Sequence, residues 1–167
     1  MSNFVSTEGR IINQAIDEIS TTQNHPLGTI VRAKDIASTD YGEGEFIYLL
    51  GVASTAVGSA VTYNADDGST ALLAANAIGP VAFAMGANVA SSYGWYQIEG
   101  KAVGKVLAGF ADNANCYATA TAGSIDDAVV AGDRVKICKG ASAIGTPSAG
   151  LAELEISRPF MDDGLAA

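Results

Sequence analysis

The chain has 167 residues and a mass of 16.9 kDa, one domain's worth of sequence and long enough to bury a hydrophobic core. A mean hydropathy of +0.23 with only 16% charged residues excludes a disordered tail protein and argues against a highly charged helical bundle. The formal charge of −9 disfavours binding to a nucleic-acid backbone, which needs a positive face.

Thirty Ala and 19 Gly make much of the apolar share small, suited to close backbone packing. The acidic balance reads as solubility, or as a surface that meets a basic partner. Cys116 and Cys138 are far apart, with no CxxC pattern, and read as two buried thiols of a protein made in a reducing cytoplasm. Met1–Arg10 lacks a basic start followed by an apolar stretch, so no secretory signal is expected. The uncharged run from Gly68 to Ile98 is broken by Asn76, Gly79-Pro80 and Asn88 and is mostly Ala, which is not the pattern of a membrane span.

Residues 1–27 differ from the rest. Ile11, Ile12, Ala15, Ile16 and Ile19 fall at helical spacing opposite Asp17 and Glu18, which predicts a short amphipathic helix. Ser20–Asn24 and His25-Pro26 end it. A helix of two or three turns is marginal alone in water, so this segment either packs on its own domain or lies as an arm against something else.

From Gly28 the pattern becomes one of short strands, expected at Thr29–Ala33, Glu45–Leu50, Ala60–Asn64, Thr70–Leu73 and Val81–Met85. Gly94–Glu99 and Lys101–Leu107 flank Gly100 as a hairpin or a bulged bend. Asn115–Thr119, Asp133–Lys139 and Ala152–Ser157 complete the set. Alternation turns Val135 and Ile137 one way and Arg134 and Lys136 the other; Leu154 and Ile156 point in while Glu153 and Glu155 point out. If these two strands pair, the two cations can sit opposite the two glutamates. The fold expected is all-β, a compact small barrel or sandwich over residues 28–160, with an N-terminal arm or short helix at 1–27 and an exposed tail at 161–167.

Enzymatic and metal patterns are weak, and neither catalysis nor a cofactor or metal is expected. His25, the one histidine, reads as a loop residue rather than a base. No Gly-x-Ser-x-Gly elbow or phosphate loop is present, and Gly42-Glu-Gly44 fails as a dinucleotide fingerprint at its third glycine. Asp66-Asp67-Gly68, Asp126-Asp127 and Asp162-Asp163 read as turn residues that satisfy their own backbone. Tyr93-Gly-Trp95-Tyr96 is the most distinctive local cluster, either a core Trp with Tyr at its rim or a subunit or carbohydrate platform.

Several stretches together carry a resemblance: His25–Asp35, Gly44–Ala53, Ala77–Ala82, Tyr93–Gly100, Gly140–Gly150 and Ala152–Gly164. From about residue 25 onward the chain resembles the head decoration, or cement, proteins of tailed bacteriophages. The resemblance implies a structural virion protein, made in the bacterial host cytoplasm, on the outer surface of an HK97-type capsid. Its partners would be the major capsid protein and itself, as a trimer or else a dimer, with no nucleic acid and no membrane. It would stabilise the shell by clamping neighbouring capsomers, and terminal arms often supply such contacts. The contact candidates are Phe4, Val5, Ile11, Ile12, Ile16 and Ile19 on the N-terminal segment, with Trp95 and Tyr96. The alternative is a phage-borne receptor- or glycan-binding β module that uses the Tyr93–Tyr96 cluster.

Overall fold

The computed structural model describes residues 3–9 and 12–162. They form eleven strands and no helix: β1 (Phe4–Ser6), β2 (Ile30–Asp35), β3 (Glu43–Leu50), β4 (Ala60–Tyr63), β5 (Thr70–Leu72), β6 (Ile78–Ala84), β7 (Tyr93–Lys105), β8 (Asn115–Ala118), β9 (Ile125–Asp126), β10 (Arg134–Gly140) and β11 (Leu151–Asp162). All ladders are antiparallel, and the sheet runs β1-β2-β3-β7-β6-β11-β10-β8-β9, with β4 on β6 and β5 on β4. The all-β expectation holds. The sheet is not a closed barrel, because β9 rejoins the segment after β7 only through one bridge, Val106 to Ile125.

The two long strands organise the rest. β7 pairs through its first half with β3 and through its second with β11, and it bends at Gly100 between them. The expected bend is therefore a pivot within one strand. β6, β7 and β11 also pair with one another, so the sheet folds over on itself and covers both faces of its middle. β3 shows the consequence. Phe46 and Tyr48 enter one cluster with Val31, Met85 and Trp95, while Ile47 and Leu49 enter another with Val61, Ala82, Tyr96 and Ile98. A strand buried on both faces reads as a continuous apolar run, as Phe46–Leu49 does. A third cluster lies inside the curl of β6, β11, β10 and β8, around Val106, Phe110, Leu154 and Met161. Cys116 and Cys138 sit in it as free thiols, and contact with Cys116 together with burial pushes the Cys138 thiol up.

Three expectations are corrected. The described residues of the N-terminal segment are not helical, and of its two expected settings they take packing on their own domain rather than lying as an arm: β1 pairs with β2, Ser20 bridges Tyr93, and Ile16 is buried. Its isoleucines are β-branched, and two turns of helix are too few to nucleate, so packing decides the conformation. Ile11 lies outside the described residues. Met161 belongs to β11 and is buried, so the exposed end does not begin there; residues 163–167 lie outside the described residues. Finally, β10 and β11 do pair, but in another register, with Lys139 opposite Glu155 and Lys136 opposite Phe160. Ile137 is 65% exposed rather than turned inward, because a bulge resets the alternation there.

Candidate interaction surface

Most of the N-terminal contact candidates lie in or against the protein's own core. Phe4 packs edge-on to Phe46, with ring centroids 5.3 Å apart, and tilts against Tyr41. Ile12 borders the same cluster, Ile16 is within it, and Ile19 is half-buried beside Gly86. Val5, on the outer side of β1, is 47% exposed. Trp95 and Tyr96 are both buried, on opposite faces of β7, so neither ring offers a platform to a sugar or a partner in this conformation.

A polar knot fastens this segment. The buried Gln14 donates through Nε2 to the carbonyls of Glu18 (2.8 Å) and Tyr93 (2.9 Å). Its Oε1 accepts from the Tyr48 hydroxyl (2.7 Å) and from Asn24 Nδ2 (3.0 Å), so both ends of the amide are saturated. The Trp95 indole N–H donates to the Gln14 carbonyl at 3.0 Å. His25 packs on the rings of Tyr48 and Trp95, with centroids 5.2 and 5.0 Å away, and its Nε2 is buried without a hydrogen-bond partner.

Burial lowers the His25 pKa from its ordinary 6.5. The folded state therefore favours neutral imidazole, and the unfolded chain takes up the proton more readily. This contribution is complete above pH 6.5 and is lost as the pH falls below it. The melting temperature is expected to fall as the pH drops below about 6.5, a window that opens above the carboxylate range. The fall should be smaller in His25→Gln; equal slopes in the two proteins would contradict this account.

The open surface lies across β2, β3, β7, β11 and β10. Glu45 is held between two guanidinium groups, from Arg32 at 2.9 Å and Arg158 at 2.5 Å. Burial alone would raise its carboxyl, but the hydrogen bonds and charges of both arginines bring it below the usual range. Farther along, Lys101 pairs with Glu153 at 2.7 Å and Lys139 with Glu155 at 3.3 Å, while Lys136 pairs with Asp162. Pairs this exposed contribute little stability each, typically about 0–1 kcal/mol. Their effect is to set the charge pattern of a broad face.

At the β6–β11–β10 end this face carries apolar side chains. Phe160 (41% exposed) has register partners Pro80 on β6 and Lys136 on β10, and Ile78 (68% exposed) lies diagonal to it across β6. Ile137 follows Lys136 with φ +56°. A β-branched residue in the left-handed region is an outlier that costs on the order of 1–3 kcal/mol. Beside it runs an open groove of about 390 Å³ lined by Asn115, Arg134, Ile137, Lys139, Glu155 and Ser157.

Sequence reasoning misses these residues. Period-two alternation sends Ile137 inward, and a bulge leaves no mark in a strand that reads Arg-Val-Lys-Ile-Cys. Pro159 is the one available signal, since proline within a strand pattern points to an edge or a bulge, and Arg158 beside it has φ +50°.

Among the described residues no group of three or more His, Cys, Asp or Glu is placed to hold a metal ion. Asp67 instead accepts the Ser69 N–H at 2.9 Å and Asn64 accepts that of Asp66 at 2.9 Å, ordinary turn chemistry. The fold and surface thus define an antiparallel all-β protein with shallow grooves and one broad charge-laddered face. Compared with protein-family models, with curated proteins and with solved structures, the chain matches none.

Proposed function

We propose that the chain is a structural virion protein that binds the outer surface of an HK97-type phage capsid and stabilises it by clamping neighbouring capsomers. Its partners in this reading are the major capsid protein and further copies of itself, as a homotrimer. The resemblance from about residue 25 onward motivates the proposal. The observation that carries it is the broad open face of β2, β3, β7, β11 and β10, whose cross-strand ion pairs give way to exposed Ile78, Ile137 and Phe160. Open surfaces that carry apolar residues among charged ones suit protein contact, whereas small-molecule sites are concave and largely enclosed. The packing of Phe4, Ile12 and Ile16 on the protein's own core moves the expected capsid contacts from that segment to the sheet face.

Full-length protein mixed with undecorated HK97-type shells should co-sediment with them to a saturating ratio. Decorated shells should withstand higher temperature than bare ones, because many weak attachments acting together raise occupancy. Failure to co-sediment at micromolar concentration would overturn the capsid reading. Monomers seated singly on capsomer centres in a cryo-EM map would overturn the trimer.

A further inference from the structure

The described residues separate their charges. All eight of their Lys and Arg lie on β2, β7, β10 and β11, within the neighbouring strands β2–β3–β7–β11–β10. Those five strands also hold seven carboxylates, several of them ion-paired. The remainder of the described chain has ten carboxylates and neither Lys nor Arg. One molecule therefore presents a cation-bearing face and an acidic remainder.

Each part carries an exposed apolar feature. On the cation-bearing face, Ile78, Ile137 and Phe160 lie among Arg134, Lys136, Lys139 and Arg158; Asp162, Glu155 and Glu45 pair with the last three, which leaves the rim net positive by one charge. On the acidic side, β9 ends at Asp126 and the loop to β10 begins Asp127-Ala128-Val129-Val130, with Val129 80% and Val130 43% exposed. Asp127 is anchored by the Ala111 N–H at 3.1 Å, which ties the loop to the stretch holding Asp112.

We propose that these are the two halves of one self-contact, in which the basic-rimmed patch around Ile137 and Phe160 on one copy receives the acidic, valine-tipped β9–β10 loop of the next. The two surfaces each have an apolar centre and carry opposite net charge at the rim, the arrangement that steers partners and fixes orientation. Ile137 adds a second reason. A strained, two-thirds exposed isoleucine gains the isolated chain no burial, whereas an apolar anchor seated against a partner does. Because patch and loop are different surfaces, the contact is heterologous and can close into a ring, or reciprocate across a two-fold. The proposal goes beyond the capsid reading, which names no surface for contact between copies, and it can fail while capsid binding stands.

The test is sedimentation equilibrium of the full chain, at low salt and at about 0.5 M salt, where rim charges are screened within a few Å. Concentration-dependent association that weakens with salt is expected. Ile137→Asp and Val129→Asp should each weaken it about tenfold or more. Aspartate tolerates the left-handed region better than isoleucine, so Ile137→Asp should stay folded, as circular dichroism would show; Val129→Ser is the milder second probe. Ala128→Lys in the loop and Lys136→Glu in the patch should each weaken association, and together should recover part of it. A chain that remains monomeric at about 100 µM would overturn the self-contact, since micromolar affinity would fill it. Native association in both the loop and patch variants would overturn it too. A monomer that still decorates shells would end this inference and leave the capsid reading intact.

Discussion

A chain lacking residues 1–24 is expected to lose its cooperative fold or to melt roughly 10 °C or more below the full protein, rather than to give a trimmed and stable β body. Ile16 is 1% exposed, and burying such a side chain contributes about 1.5–3 kcal/mol. The larger loss falls on what it covers. Phe46, Tyr48, Met85 and Trp95 form one wall of that cluster, and without the segment they would face water. An aromatic ring buries about 150–250 Å², so re-exposing half of one costs about 2–3 kcal/mol at 25 cal/mol per Å². The Gln14 contacts to Tyr48, Tyr93 and Trp95 go as well, at about 0.5–1.5 kcal/mol net for each bond exchanged with water. Against a typical total of about 5–15 kcal/mol the loss is large. Near-ultraviolet circular dichroism reports Trp95 directly, and Ile16→Ala should reproduce part of the effect, about 2–5 kcal/mol. A truncated chain with the same melting temperature and the same Trp95 signal would show that the segment adds nothing to the core.

What the sequence discloses follows from which forces are local. Strand β11 is legible because Glu153-Leu-Glu-Ile alternates and the outward residues are charged, and the structure buries Leu154 and Ile156 as that pattern demands. Phe46–Leu49 is legible as a buried strand, though not the fact that its two faces look into different clusters. The N-terminal segment misleads because three-to-four-residue spacing of isoleucines is also produced by a chain that dips irregularly onto a sheet. Its partner, the Trp95 face, is some eighty residues away. The core reading of Trp95 holds, while the contact reading of Trp95 and Tyr96 misleads for a related reason. Adjacent strand residues point to opposite faces, so at least one aromatic should be exposed unless both faces are covered, and only the topology shows that they are. The candidate surface needs the topology most. Lys101, Lys136, Lys139, Arg32 and Arg158 are scattered through the sequence, and only the β2–β3–β7–β11–β10 adjacency gathers them within one run of neighbouring strands.

Gly100→Ala is expected to be among the most damaging single substitutions in the chain, because Gly100 is where β7 passes from β3 to β11. It faces Gly44 on one side and Ile156 on the other, with φ +98°. A side chain meets two obstacles there. The backbone lies in a region that L-residues avoid, at a cost of about 1–3 kcal/mol. A Cβ would also stand 2.4 Å from the Glu43 carbonyl oxygen and 3.0 Å from the Gly44 Cα, backbone atoms that cannot swing aside. Relieving that contact means parting β7 from β3 beside Glu45, the carboxylate that links Arg32 to Arg158, so the damage would spread along the open face. Gly109→Ala separates the two costs. Gly109 has φ +99°, nearly the same backbone, yet nothing lies within 4 Å of its Cβ position. Gly109→Ala should lower the melting temperature by only a few degrees, since about 1 kcal/mol shifts a domain of this size by roughly 2–4 °C. Gly100→Ala should lower it by roughly 10 °C or more, or leave the chain unable to fold. Equal losses in the two variants would mean that conformation alone is at issue, and that β3 and β7 are not held as close at the pivot as their register requires.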